Sequence, residues 1–107
     1  MITVCFHCNH GLYSGFCVKG HADYADLGQD IVCAAVSSAA LMTANAITDV
    51  LGCGAVSRSR AGRLTLAGCS GDERAQAMLE GLYIHLCALA KQYPEHLDVG
   101  KSALKRR

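Results

Sequence analysis

Apolar and polar residues alternate at the start of the chain, over residues 2–7. Turn-forming residues follow at positions 9–11, and residues 12–19 again contain strand formers. Side chains at every second position of a strand point to the same face, so the alternation predicts a strand with one buried face. Together the two segments predict a β-hairpin. The apolar positions of its first strand are Ile2, Val4 and Phe6.

The middle of the chain changes from a loop pattern to a helix pattern. Residues 20–29 contain two glycines and no helical apolar repeat, which predicts a loop. Residues 31–51 are rich in alanine and other helix-compatible apolar residues, and they predict one long helix. Asp30 is placed to cap this helix, because its carboxylate can accept N–H groups of the first turn. Glycines at 52 and 54 then predict its end.

The second half of the chain has the same order of patterns. Residues 55–59 and 63–67 predict a second hairpin around a turn at 60–62. Ser70 and Glu73 have the spacing of a capping box, which predicts the start of a second helix.

This second helix is expected to run from about residue 71 to residue 93, since Pro94 cannot continue it. A short final strand is expected at 96–101, and the basic tail at 101–107 is expected to fray. The apolar stripe predicted for the helix is Met78, Leu82, Leu86, Leu89 and Tyr93.

These elements predict a single α+β domain over residues 1–107. We expect two layers, a small mixed β-sheet and two main helices, in the order ββαββα with the short strand at the end. The chain is long enough for one core, and its hydrophobic fraction of 51% is high enough to fill that core.

The charged fraction and the net charge limit the kinds of partner that the protein could bind. Charged residues make up 18% of the chain and the formal net charge is +1, which excludes a disordered protein and provides no overall field that attracts nucleic acid. Residues 31–48 carry no charge, but serine, threonine and asparagine interrupt them. We therefore expect a deeply buried helix that also meets the second copy in a homodimer, rather than a membrane span. No secretory signal pattern opens the chain, which favours the cytoplasm.

Seven cysteines are many for this length. Their odd number and the absence of a signal pattern argue against a disulfide framework, so most are expected to be reduced and buried. Cys33 differs from the others, because a helix capped by Asp30 would place it in the first turn, where the helix dipole favours the nucleophilic thiolate. His21 lies at the start of the loop that precedes the helix and could face it. Core packing for the cysteine and solvation for the histidine remain the alternatives from spacing alone.

The amino-acid sequence around these two residues resembles that of a known family. Gly20-His21-Ala22, followed by Gly28-x-Asp30-Ile31-Val32-Cys33-Ala34-Ala35-Val36-Ser37, is similar to the motif of the ribosomal-processing cysteine proteases called Prp. The resemblance extends over nearly the whole chain, although Asp23 stands where glycine is common in the family.

The resemblance implies an intracellular endopeptidase that needs no cofactor. Its substrate would be the N-terminal extension of a large-subunit ribosomal protein, and the enzyme would be a homodimer. Cys33 matches the family nucleophile and His21 the general base and acid. Asp30 and Ser37 match recurring positions, with Asp30 either capping the helix or orienting His21.

The loop before the helix has its own expected role. Gly20 and Gly28 bracket it, and we expect them to act as hinges when the loop, mobile in the free protein between residues 22 and 29, closes over substrate.

Two other functions compete with catalysis. A small zinc-binding domain could use Cys5, Cys8, Cys17 and His21, but Cys17 and His21 on one strand would lie ~13 Å apart, too far to share a metal. A non-catalytic ribosome- or RNA-associated module could use a group of arginines in the second hairpin together with the basic tail. No aromatic stacking platform accompanies them, and peptide cleavage would require no direct contact with nucleic acid. These arginines are Arg58, Arg60 and Arg63.

Overall fold

The structure of the protein is a computed structural model that describes the backbone of residues 1–20 and 27–103, and side chains over 1–20 and 30–102. These residues form five strands and two helices in the predicted order, and a π-helical segment, Ala46–Leu51, continues the first helix. The predicted α+β fold is therefore confirmed. The elements are β1 Ile2–Asn9, β2 Leu12–Lys19, α1 Leu27–Asn45, β3 Val56–Arg60, β4 Arg63–Ala67, α2 Glu73–Gln92 and β5 Leu97–Ala103.

The sheet is mixed and has the strand order β3-β4-β2-β1-β5. All neighbours are antiparallel except β5, which returns from α2 to lie parallel to β1. β5 is longer than predicted: residues 101–103 pair with residues 6–8 of β1, so this part of the tail is not frayed. Residues 104–107 lie outside the described part.

The two helices cover one face of the sheet. The core between the layers is built around Phe6 and Phe16, both fully buried. Tyr83 of α2 packs against Phe6 at 5.3 Å between ring centroids, and Tyr13 packs against it at 5.7 Å. These contacts place α2 over β1, between β2 and β5. In the described part of the chain, no helix covers the other face of the sheet.

One face of α1 is buried and the other is exposed. The side chains that pack on the sheet recur every four residues, as the helical repeat requires: they are Val32, Val36, Ala40 and Ala44, all fully buried. Ile31, Leu41 and Met42 are exposed, so the expectation of a deeply buried helix is correct for one stripe only.

The segment from Asp30 to Leu51 is long and apolar enough to cross a membrane. A core helix meets the same criterion, and the buried stripe of α1 packs on the sheet as a core helix does.

The starts of both helices differ from the predictions. α1 begins at Leu27, a full turn before the predicted start, because good helix formers at positions 27 and 29 extend it. Asp30 therefore lies inside the first turn and is not the N-cap. Gly28 also lies within α1, so it does not border the loop as a hinge.

α2 is capped by Asp72 and not by the predicted box of Ser70 and Glu73. The Asp72 carboxylate accepts the backbone N–H groups of Arg74 at 2.8 Å and Ala75 at 3.2 Å. Ser70 belongs to the preceding turn and lies two residues before the N-cap position.

The buried stripe of α2 agrees with the prediction only in part. Leu82 and Leu86 are buried as expected, whereas Met78, Leu89 and Tyr93 are half-buried at its edge. The fully buried side of α2 is completed by Ala75 and Leu79.

The identity of the N-cap can be tested by substituting Asp72 and Ser70 separately. Asp72→Ala removes the acceptor of two helix N–H groups and should lower the melting temperature by about 4 to 8 °C at neutral pH. Ser70→Ala is the matched control and should leave it unchanged, as measured by circular dichroism. An equal loss in both variants would contradict this assignment of the cap.

The pH dependence of the cap has a definite direction. The hydrogen bond from the Arg74 side chain, with those from the two backbone N–H groups, lowers the pKa of Asp72 to about 2. The folded-state pKa lies below the unfolded value of about 3.9, so the stabilisation is complete above that pH and is lost as the pH falls towards 2. The difference in melting temperature between wild type and Asp72→Ala should therefore disappear as the pH is lowered over that interval.

Candidate active site

A cavity of about 220 Å³ lies between α1 and the hairpin of β3 and β4. It lies on the helix-covered side of the sheet, beside the middle of α1. Helix residues form one wall, and the end of β2 with the hairpin forms the other. The lining residues are Val18, Gly20, Cys33, Ser37, Ala40, Leu41, Ser59, Arg60, Gly62, Arg63 and Leu64.

Two predicted site residues of α1 face this cavity together. Cys33 and Ser37 are four residues apart on α1, so they lie on the same face of the helix. Each follows a fully buried valine of the stripe, Val32 or Val36. The Cys33 side chain is consequently half-buried at the margin of the core, in contact with both packed side chains and the open cavity.

The opposite wall adds a hydroxyl that sequence reasoning missed. Ser59 of β3 is paired with Leu64 of β4, whose side chain is buried towards the helices. Directly opposite residues point to the same face, so Ser59 faces the cavity. In the described part of the chain, neither the Ser59 hydroxyl nor the Ser37 hydroxyl has a hydrogen-bond partner, so both are available to a ligand. The alternation of β4 together with its pairing to β3 is the signal that would have identified Ser59.

Gly20 connects the cavity to the predicted histidine. Its backbone φ is +120°, and a Cβ atom there would lie 2.6 Å from the Met1 carbonyl oxygen. Its N–H donates to the Gly62 carbonyl at 3.1 Å, which ties the end of β2 to the turn of the second hairpin. Glycine is therefore required at this position by close packing. His21 is the next residue in the sequence and lies outside the described residues, as does the predicted mobile loop up to residue 26.

The early start of α1 changes the surroundings of Cys33. Cys33 is the seventh residue of the helix and lies in its second turn. Only the first four N–H groups of a helix lack an intrahelical acceptor, so the Cys33 N–H is not one of them. The expectation that Cys33 lies in the first turn, where the helix dipole favours the thiolate, is therefore wrong. Asp30 is exposed in the first turn, one turn before Cys33.

Cys33 is the only one of the seven cysteines that lines the cavity. All seven carry free thiols in the structure. Cys69 is fully buried, and burial raises the pKa of its thiol to about 11, so it remains protonated at neutral pH. Cys53 and Cys87 are half-buried elsewhere.

The first hairpin does not assemble the zinc site considered from the sequence. Cys5 and Cys17 are directly opposite each other, on the face of the sheet away from α1 and α2. Cys8 follows a shift of register in β1 and packs against the core on the other face. Among the described residues, no three His, Cys, Asp or Glu side chains come together as metal ligands.

Comparisons with solved structures place the fold among known proteins. The protein SMU.848 from Streptococcus mutans is 26% identical, with 97% of this chain and 96% of that chain covered and a TM-score of 0.79. The ribosomal processing protease Prp from S. aureus in complex with a substrate peptide is 24% identical and shares the fold. There 95% of this chain and 100% of that one are covered, with a TM-score of 0.87.

A second structure of the S. aureus protease, with a covalently linked product peptide, is 25% identical with the same coverage and a TM-score of 0.83. A comparison with curated protein sequences found no match. The model of the cysteine protease Prp family matches residues 1–98, which is nearly the whole chain. This match extends well beyond the motif around Cys33 and includes both hairpins and both helices. The chain therefore belongs to the cysteine protease Prp family.

Proposed function

We propose that the protein is a cytoplasmic cysteine endopeptidase in which Cys33 is the nucleophile and His21 is the general base and acid. The observation that carries this proposal is the position of Cys33, the only cysteine of the chain at the cavity between α1 and the second hairpin. Gly20, which leads directly to His21, lines the same cavity. Family membership supports the same chemistry, because the family whose model matches residues 1–98 is that of the cysteine protease Prp.

The chemistry uses two groups of this chain. The Cys33 sulfur attacks the carbonyl carbon of the scissile peptide bond, while the thiol proton passes to the His21 imidazole. Breakdown of the tetrahedral intermediate breaks the C–N bond, and the imidazolium donates its proton to the departing amine. The acyl group remains on sulfur as a thioester. His21 then takes a proton from water while the water oxygen attacks the thioester carbon. The C–S bond breaks, the acyl group leaves as the new carboxyl terminus of the peptide, and the imidazolium returns its proton to the Cys33 sulfur.

The walls of the cavity suit an extended peptide. The volume of the cavity accommodates the side chains of a single extended strand but not a folded domain. The hydroxyls of Ser37 and Ser59 stand on opposite walls, where they can bond to the N–H and C=O groups of a chain between them. In this proposal Ser37, which lies one helical turn from Cys33, positions the peptide next to the sulfur. Leu41 lies one turn further along α1, and its apolar side chain excludes water from that side of the bound peptide.

The proposed substrate is the N-terminal extension of a large-subunit ribosomal protein. An unstructured extension can enter the cavity as a strand, whereas the folded remainder of such a protein cannot. The solved structure at 25% identity, a ribosomal processing protease with a covalently linked product peptide, supports a peptide substrate and a covalent step.

A second copy of the chain is the proposed partner of the exposed face of α1. Met42 is 64% exposed there, and Ile84 on the neighbouring helix α2 is 60% exposed. A groove of about 380 Å³ separates the two helices beside them, lined by Met42, Met78 and His85 among others. Apolar helix faces of this kind are covered when two copies associate, which supports the homodimer expected from the sequence.

Cleavage tests the nucleophile directly. Wild type should shorten one member of a set of large-subunit ribosomal proteins prepared with intact N termini, as read by intact-mass spectrometry. Cys33→Ala should reduce the rate by at least about 1,000-fold, because no other group supplies the nucleophile. Its circular dichroism and melting temperature should stay close to those of wild type.

Cys87→Ala is the matched control, since it also removes a half-buried thiol from a helix but lies outside the cavity. It should cleave at the wild-type rate. Full activity of Cys33→Ala, or a comparable loss in Cys87→Ala, would overturn the assignment of the nucleophile.

Alkylation compares the seven thiols within one molecule. Limiting iodoacetamide near neutral pH should modify Cys33 first, and the loss of activity should follow that single modification. Cys69 should be modified last, because its thiol is buried and its pKa is raised to about 11. His21→Ala should slow the reaction at Cys33 if the imidazolium stabilises the thiolate. Peptide mapping that found Cys33 inert while Cys53 reacted would remove the chemical basis of the proposal.

Sedimentation tests the dimer and its surface together. Wild type should sediment as a dimer at micromolar concentration, and Met42→Glu should shift it to monomer, because the substitution places a charge in the apolar face. Ser57→Glu introduces the same charge on the exposed strand β3 and should leave the dimer intact. A strictly monomeric wild type would refute the dimer. Dissociation by Ser57→Glu alone would instead place the interface at β3.

A further inference from the structure

The face of the sheet opposite the helices carries a concentrated positive charge at one corner. Lys19, Arg63 and Arg60 follow one another in register on the neighbouring strands β2, β4 and β3. Arg58 lies two residues along β3, on the same side as Thr65 of β4. All four basic side chains are exposed. We call these four residues the basic patch.

The basic patch borders a hollow rather than a flat surface. A cavity of about 340 Å³ on this side of the hairpin is lined by Arg58, Arg60, Arg63, Ala61 and Thr65. Three arginine residues therefore line one concave site. Each guanidinium can donate two parallel hydrogen bonds to a phosphate, a geometry that a lysine does not provide.

The folded chain alone does not explain why these charges lie together. Arg60 and Arg63 are directly opposite each other, and Arg63 is directly opposite Lys19. Like charges in such cross-strand pairs destabilise a sheet, since neighbouring strands are only about 4.8 Å apart. Within the described residues, none of the four has an ion pair or a hydrogen bond to another side chain. An anion in the hollow would remove this repulsion.

We propose that the basic patch binds the phosphate backbone of RNA without reading its sequence. The three strands spread the charges over about 10 Å, which exceeds the size of one phosphate and suits the repeated phosphates of a polynucleotide. The hollow has no aromatic side chain among its described lining residues, so base stacking plays no part in the contact.

An acidic protein is a poorer match for the patch. Protein interfaces bury an apolar or aromatic centre, whereas the uncharged lining residues here are Ala61 and Thr65. A lipid surface also requires apolar side chains that insert into it, and the same two residues do not supply them.

The hairpin gives this contact a functional position. Arg60 and Arg63 belong to the basic patch and also line the cavity that contains Cys33. RNA bound on one side of the hairpin would hold the candidate active site next to a polypeptide that is itself associated with that RNA. The binding step does not depend on the proposed peptidase chemistry, and Cys33→Ala should bind RNA as wild type does.

Fluorescence anisotropy with a labelled single-stranded RNA of about 20 nucleotides tests the proposal. Four phosphate contacts predict a slope of about −2.8 in log affinity against log salt, and hence a roughly 50-fold loss of affinity between about 50 and 200 mM salt. Arg58→Gln should weaken binding several-fold and reduce the magnitude of the slope by about 0.7. Arg58→Lys keeps the charge and should largely restore the slope.

Two controls separate the patch from other sources of charge. Lys91→Gln makes the same change in charge on α2 and should bind as wild type. Neutralising Lys105, Arg106 and Arg107 in the tail should leave the effect of Arg58→Gln intact. Arg58 does not line the Cys33 cavity, so Arg58→Gln should cleave a free peptide substrate at the wild-type rate.

Three results would overturn the proposal. The first is no binding at the lower salt concentration, and the second is binding that the tail variant abolishes while Arg58→Gln retains it. The third is displacement of RNA by poly-glutamate at equal charge concentration, which would assign the patch to an acidic peptide instead.

Discussion

The packing of the α1 stripe on the sheet determines the geometry of the candidate site. Its buried side chains recur every four residues and include two alanines, whose small size lets the helix approach the strands closely. Cys33 and Ser37 each follow a buried valine of this stripe, so the same contact that holds the helix also fixes the direction in which these two residues point. The sulfur is thereby placed at the edge of the core, against a cavity whose far wall is the second hairpin.

The order of elements could be predicted because each pattern is local. Alternation at Ile2, Val4 and Phe6 is sufficient for a strand with one buried face, and these three side chains are indeed buried. The helix starts could not be predicted equally well, because several residues compete for each cap. Asp72 captures two N–H groups that Ser70, two residues earlier, does not contact.

The candidate site was predictable on its helical side and not on its opposite wall. A single motif contains both Cys33 and Ser37, whereas Ser59 reaches the cavity only through the pairing of β3 with β4 and of β4 with β2. β3 and β4 form a local hairpin that the sequence pattern predicts, but the pairing of β4 with β2 joins strands distant in the sequence and leaves no local pattern. The same holds for Gln76, whose amide bonds the backbone N–H and C=O of Tyr13, each at 2.7 Å, and ties α2 to the first hairpin.

The most direct measurement is the location of the acyl group during turnover. A reaction with substrate is stopped in acid, and the protein is digested and mapped by mass spectrometry for a hydroxylamine-sensitive adduct. A thioester on the Cys33 sulfur is the predicted result, because this is the thiol that faces the cavity. An adduct on any of the other six cysteines would contradict the proposed site.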